Sequence, residues 1–241
     1  MNESMVTSIR ERYQRTFEQI AETAVASGRT AGAVRLVVVS KSQPLEVLQA
    51  SISAGIACFG ENYVEEAVEK IAALQGTGVE WHMIGHVQSR KAEAVAAHFD
   101  MLHSLDSLKL ANRLDRFCGE IGRRLPVLLE FNVSGEESKS GFPAWEQERW
   151  ADLASEIEPI LALPHLQVRG LMSMPPFFDD PERTRPYFQR LRRLQEFLAK
   201  RYPGPQWQEL SMGTSVDFLA AVQEGATFVR IGQAILGPRA K

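Results

Sequence analysis

RLVVVSKSQP (35–44) is the stretch from which the fold is read. Leu36, Val37, Val38 and Val39 offer apolar side chains to both faces of an extended chain, as a parallel strand covered on both sides requires. Seven further β-rich runs follow at 56–60, 80–85, 101–105, 126–133, 167–173, 208–212 and 227–231. Helical patterns fill the gaps, near 44–54, 61–75, 89–98, 107–122, 144–161, 180–201 and 215–223. Eight strands with interleaved helices predict an α/β fold, a closed (β/α)8 TIM barrel forming one domain over 1–241. A doubly wound open sheet is the rival, but no GxGxxG follows the first strand. Ahead of the barrel, Met5, Ile9, Tyr13, Phe17, Ile20 and Ala24 recur at spacings of three and four, which predicts an extra N-terminal helix over 3–27 stopped by Gly28.

The chain has 241 residues, of which 44% are hydrophobic and 24% charged, an ordinary globular composition. The net charge of −3 gives no electrostatic case for nucleic acid or an anionic membrane. No apolar run approaches the roughly 20 residues that span a bilayer, and Met1-Asn2-Glu3-Ser4 does not open a signal peptide. Cys58 and Cys118 form no CxxC pair, and free thiols in a reducing cytoplasm are the default expectation.

Lys41 follows the first strand directly, so in a barrel it faces the C-terminal mouth. Burial there lowers a lysine pKa, and the neutral amine is the form that attacks an aldehyde. A surface lysine after a strand is the plainer alternative. The seventh run leads into Ser211-Met212-Gly213-Thr214-Ser215, and the eighth into Gly232-Gln233. Barrels frequently hold phosphate with these two loops, and glycine permits close backbone approach. Capping by Ser215 and a turn at Gly232 would explain the same residues. Asn62, after the second run, either meets a polar ligand or caps the next helix. Arg230 alternates with Phe228 and Gly232, which turns it into the barrel, where it needs an acceptor. His82 and His86 are four residues apart on or beyond a strand, about 13 Å along it, too far to share a metal, so no metal site is expected. His103 reads as a core histidine. The arginine-rich stretch 182–201 reads as a solvated helix face.

The segments VVVSKSQP (37–44), FGENYVEE (59–66), WHMIGHVQSRK (81–91), HSLDS (103–107), FNVSGEESKSG (131–141), GLMSMPP (170–176), LSMGTSVDF (210–218) and VRIGQAILG (229–237) together resemble the pyridoxal-phosphate homeostasis protein family, single-domain relatives of the alanine racemase barrel. The resemblance implies pyridoxal 5'-phosphate as cofactor, held as a Schiff base on Lys41. It places Asn62 near the cofactor, Ser211, Gly232 and Gln233 on its phosphate, and Arg230 near its pyridine nitrogen. It implies a cytoplasmic carrier without strong catalysis, with apo-enzymes as partners. Two departures lie on the pocket rim: Ile84-Gly85-His86-Val87-Gln88 where the family reads IGPLQ, and Thr214 where it reads SMGMS. The racemases add a second domain that supplies a tyrosine base, and this sequence ends shortly after Gly232, so no racemase turnover is expected. A racemase-like enzyme and a cofactor-free lysine aldolase remain as alternatives.

Overall fold

Eight parallel strands close a barrel in the computed structural model, which describes residues 3–205 and 207–238. Met1 and Asn2, on which the signal-peptide reading partly rests, lie outside these. The strands are β1 (Arg35–Val39), β2 (Cys58–Glu61), β3 (Glu80–Met83), β4 (Met101–Leu105), β5 (Leu125–Asn132), β7 (Leu166–Met172), β8 (Glu209–Ser211) and β9 (Phe228–Ile231). Each pairs with the next, β4 pairs with β5, and β9 returns to β1, where Val37 lies opposite Arg230. The expected strand boundaries are met within about two residues, whereas the helices expected at 144–161 and 180–201 begin later, at Trp150 and Arg185. One element was not expected: β6 (Phe142–Pro143) closes the loop after β5 by pairing beside Phe131 and Asn132.

Helices α2 (Leu45–Ser53), α3 (Val64–Ala73), α4 (Ala92–His98), α5 (Leu108–Glu120), α6 (Trp150–Leu161), α7 (Arg185–Arg201) and α8 (Phe218–Gln223) follow the barrel strands in turn. A last turn, α9 (Gln233–Leu236), follows β9. The leading helix α1 (Glu3–Ala26) packs on α2, α8 and α9 through Ile9, Ile20 and Ala24, and Arg12 Nε donates to Ile235 O at 2.6 Å. Phe17 departs from the expected apolar stripe and is exposed, whereas Thr16 is buried and returns its hydroxyl to Arg12 O at 2.8 Å.

The apolar material divides in two. Most of it fills the layer between strands and helices. A small second cluster, Val37, Ile84, Met101, Leu128, Met172 and Phe228, fills the barrel itself. Alternation along β9 then turns Arg230 inward with Phe228, as the sequence predicts. Gly170 permits the β7–β8 pairing, because a Cβ there would lie 1.9 Å from Glu209 O.

Arginines of α7 do more than face solvent. Arg185 pairs with Glu182 and Glu224, Arg192 with Glu224, and Arg190 donates to Val133 O, so this face ties the helix to α8 and to the loop after β5.

Candidate functional site

A cavity of about 300 Å³ opens at the C-terminal ends of the strands. Lys41, Asn62, Arg230, Gly232 and Gln233 all line it, with apolar walls from Val39, Ile84 and Met174. Five of the six residues singled out from the sequence are thereby brought together from the ends of β1, β2 and β9. Pockets for small ligands begin at about this volume. A larger cavity of about 660 Å³ lies by Arg124, Glu158, Arg169 and Tyr202, at the starts of β5 and β7, and holds none of the candidates.

Lys41 sits in the turn that leaves β1, and its flanks are fixed by buried charge. Ser40 Oγ donates to Glu61 Oε1 at 2.7 Å, and Lys70 Nζ donates to both Ser40 O and Glu61 Oε1 at 2.7 Å. Glu66 Oε1 accepts from Lys70 Nζ and from the Ser42 amide, both at 2.6 Å. Burial raises the Glu61 carboxyl above its ordinary range, against the pull of Lys70 and the Ser40 hydroxyl. Ser42 is the one non-glycine described residue at positive φ, at 58°, a conformation that serine adopts only under constraint from its surroundings. The chain therefore turns sharply just after the amine.

Asn62 does not cap the next helix. Tyr63 takes that position, and the buried Asn62 Oδ1 has no partner. Its backbone is packed against Gly85, where a Cβ would come 2.4 Å from Asn62 O. Ser215 is not a cap either. Asp217 precedes α8 and accepts from the Thr214 amide at 2.6 Å and hydroxyl at 3.1 Å, which leaves Thr214 and Ser215 on the cavity rim. Opposite them, a Cβ on Gly232 would lie 3.0 Å from Val39 O, and the first-turn amides of Gln233 and Ala234 have no intrahelical acceptor.

Ser211 departs from expectation. It is fully buried and absent from the cavity lining, because β8 turns its side chain toward the barrel interior. Its oxygen accepts from Arg230 Nη1 at 2.5 Å and lies 2.8 Å from His103 Nδ1. Arg230 also donates to Ser173 O at 2.9 Å and to Met174 Sδ at 2.8 Å. Burial lowers its guanidinium to about 10, opposed by Asp217 and Glu130.

Glu130 lines the same cavity and was not found from the sequence. It occupies a polar position in an otherwise apolar strand run, which was the available signal. Its Oε2 is buried without a partner. Burial, then Asp106, raises its carboxyl from 4.5 to about 7, against Arg230 and Lys139. The folded value is the higher one, so the stabilisation from a neutral Glu130 is present below about 4.5 and is lost as pH rises through about 7. At about 1.4 kcal/mol per pKa unit this amounts to about 3 kcal/mol. In urea unfolding of the ligand-free protein, Glu130→Gln is expected to gain about 3 kcal/mol on the wild type between pH 4.5 and pH 8. A difference that stays constant across that range would show that the carboxyl is not buried as described.

His86 reaches the rim and pairs with Asp106 at 2.8 Å. His82 points into the barrel instead, toward His103. Among the described residues, Cys58, Glu80 and His82 bring their ligand-type atoms within 4.8 Å, a grouping that the His82–His86 spacing does not suggest. Arg35 is paired with Glu80 there, and burial pushes the Cys58 thiol up to about 12, so a cation and a bound proton stand where a metal needs anionic ligands.

The family model for the alanine racemase N-terminal domain matches residues 16–240. The pyridoxal phosphate homeostasis protein of Vibrio alginolyticus is 40% identical over 239 residues, covering 97% of this chain and 99% of that one. Its Escherichia coli counterpart is 39% identical over 226 residues, 92% of this chain and 93% of that one. PipY of Synechococcus elongatus PCC7942, solved with pyridoxal phosphate bound, superposes with a TM-score of 0.78 at 36% identity, over 90% of this chain and 100% of its own. Alanine racemase from Corynebacterium glutamicum shares the fold at 17% identity and a TM-score of 0.67, this chain matching 62% of it. Among the described residues no helix is long and apolar enough to cross a membrane. The chain belongs to the alanine racemase N-terminal domain family, in its pyridoxal phosphate homeostasis branch.

Proposed function

We propose that the mouth cavity binds pyridoxal 5'-phosphate as a Schiff base on Lys41, and that the protein is a cytoplasmic carrier that yields the cofactor to apo-enzymes. The observation that carries this is the convergence of Lys41, Asn62, Arg230, Gly232 and Gln233 on one cavity. The residues present fit such a ligand. Two buried polar atoms on the cavity, Asn62 Oδ1 and Glu130 Oε2, lack partners, and Gly232 lines the same cavity with backbone alone, packed against Val39.

When bound, the cofactor supplies an aldehyde open to amines and a ring that withdraws electrons. Lys41 provides the amine that holds it and that a second amine displaces on release. In this reading Thr214, Ser215 and the backbone at Gly232-Gln233, which line the cavity, would bind the phosphate, and the buried Ser211 would support Arg230 instead. Arg230 can only donate, so beside a ring nitrogen it would favour the unprotonated form, a weaker electron sink. That suits storage over turnover. Glu130 is the observation that favours the second reading, an amino-acid racemase or related enzyme, since it puts a titratable carboxyl on the same cavity.

The test is borohydride reduction of the loaded protein followed by peptide mass mapping. A pyridoxyl group is expected on the peptide that contains Lys41, and modification confined to another lysine rejects the reading. Assay against a panel of amino acids separates the second reading, since turnover on the order of 1 s⁻¹ is ordinary for an enzyme. Gly232→Val drives a side chain against Val39 and shifts the backbone that lines the cavity, and is expected to weaken cofactor binding at least about tenfold, because charge-assisted hydrogen bonds of about 1.5–3 kcal/mol are at stake. Titration by absorbance checks it, and unchanged affinity moves the phosphate elsewhere.

A further inference from the structure

A file of buried polar groups runs from the cavity floor into the barrel. Arg230 Nη1 donates to Ser211 Oγ at 2.5 Å, and Ser211 Oγ lies 2.8 Å from His103 Nδ1. His103 Nε2 lies 3.0 Å from His82 Nδ1, and His82 Nε2 lies 3.4 Å from Glu80 Oε2. Arg230, Ser211, His103 and His82 are all buried, at 4%, 0%, 0% and 1% exposure. Phe228 sets its ring edge-on to both imidazoles, at 5.7 Å from His82 and 5.1 Å from His103.

The direction of every bond follows from one end. A guanidinium has no acceptor, so the serine oxygen must accept from Arg230. The single hydroxyl hydrogen then goes to His103 Nδ1, since no other acceptor for it is placed among the described residues. His103 therefore carries its proton on Nε2 and donates to His82 Nδ1. His82 carries its proton on Nε2 in turn, facing the Glu80 carboxylate. The file is a one-way chain of donors between a cation at the mouth and an anion at the other end of the barrel.

We propose that His103, acting through Ser211, is a positioning residue for the cofactor site: by drawing off the serine hydrogen it leaves the serine oxygen to hold the Arg230 guanidinium at the cavity floor. Ser211 then serves Arg230 and not a phosphate. Burial keeps His103 neutral, well below its ordinary range, and the nearby Arg230 acts in the same sense. The proposal rests on the preceding section only in naming the ligand.

The experiment has a part that needs no cofactor. Nitrogen-15 spectra of the ligand-free full chain are expected to show His103 and His82 as neutral rings protonated on Nε2. A charged ring, or a proton on Nδ1 of His103, overturns the chain. The Arg230 guanidinium is expected to give slowly exchanging proton signals that are lost in His103→Leu and kept in His103→Gln, whose amide both accepts and donates. Equal signals in wild type and His103→Leu overturn the positioning role. With pyridoxal 5'-phosphate as probe, His103→Leu is expected to bind at least about tenfold more weakly with a shifted visible band, and His103→Gln within about threefold of wild type. Wild-type affinity and band in His103→Leu also count against the proposal. Should His103→Leu not fold, Ser211→Ala carries the same expectations, because it removes the acceptor itself. A wild-type chain that shows the expected tautomers and protected guanidinium but takes up no cofactor overturns the proposed function alone.

Discussion

Lys41→Ala is expected to fold as the wild type does and to lose cofactor binding by on the order of a hundredfold, with no visible band and no pyridoxyl adduct after reduction. The size follows from the geometry. Once a phosphate is held at Thr214, Ser215 and Gly232, attack by an amine lining the same cavity is intramolecular, an advantage that an equivalent amine in solution lacks. Removing Lys41 forfeits that step and leaves only the non-covalent contacts. The fold should survive. Lys41 is half-buried in a turn, outside both apolar clusters, so its truncation opens no cavity in the core. Absorbance titration and urea unfolding measured side by side decide it. A variant that keeps the band, or one that unfolds outright, removes Lys41 from the role assigned to it.

The barrel was legible because its signal is periodic and local. The run 35–40 and its seven successors are apolar enough to mark strands without any knowledge of their partners. The mouth residues were legible for the same reason, since strand ends in a barrel converge whatever the loops do. Ser211 shows where this stops. Its position at a strand end was read correctly, but whether a strand-end side chain faces ligand or interior depends on one residue of register, and β8 is only three residues long. His103 was read correctly as a core histidine, fully buried with both ring nitrogens partnered. Glu130 and Lys70 were missed for a different reason. Each has its meaning in a partner elsewhere along the chain: Lys139 and Arg230 for Glu130, Ser40 for Lys70. No local pattern announces such a pairing. The two-residue strand β6 was missed likewise, because it is held by β5 and by nothing in its own sequence.

Lys70 carries the largest expected effect on stability. Its ammonium has three donors, and the structure supplies three acceptors: Ser40 O at 2.7 Å, Glu61 Oε1 at 2.7 Å and Glu66 Oε1 at 2.6 Å. Lys70→Met keeps the length and the apolar stem but strands the carboxylate of Glu61, which is fully buried and already lacks a partner on Oε2. Breaking one side of a buried pair costs about 3–5 kcal/mol, whereas replacing both sides with neutral groups is often tolerated. Lys70→Met is therefore expected to lose about 3–5 kcal/mol at pH 8, and Glu61→Gln combined with it to recover most of that. The sign with pH is fixed too. Burial already raises the Glu61 carboxyl, and without the ammonium it rises further, so the variant takes up a proton on folding and its deficit shrinks as pH falls toward 5. Because Ser40 and Ser42 bracket Lys41 and are held by the same three side chains, reductive labelling of Lys41 should fall in the single variant and return in the double. A loss under about 1 kcal/mol that does not change with pH would mean that the cluster is solvated in solution and that Lys41 is positioned by its turn alone.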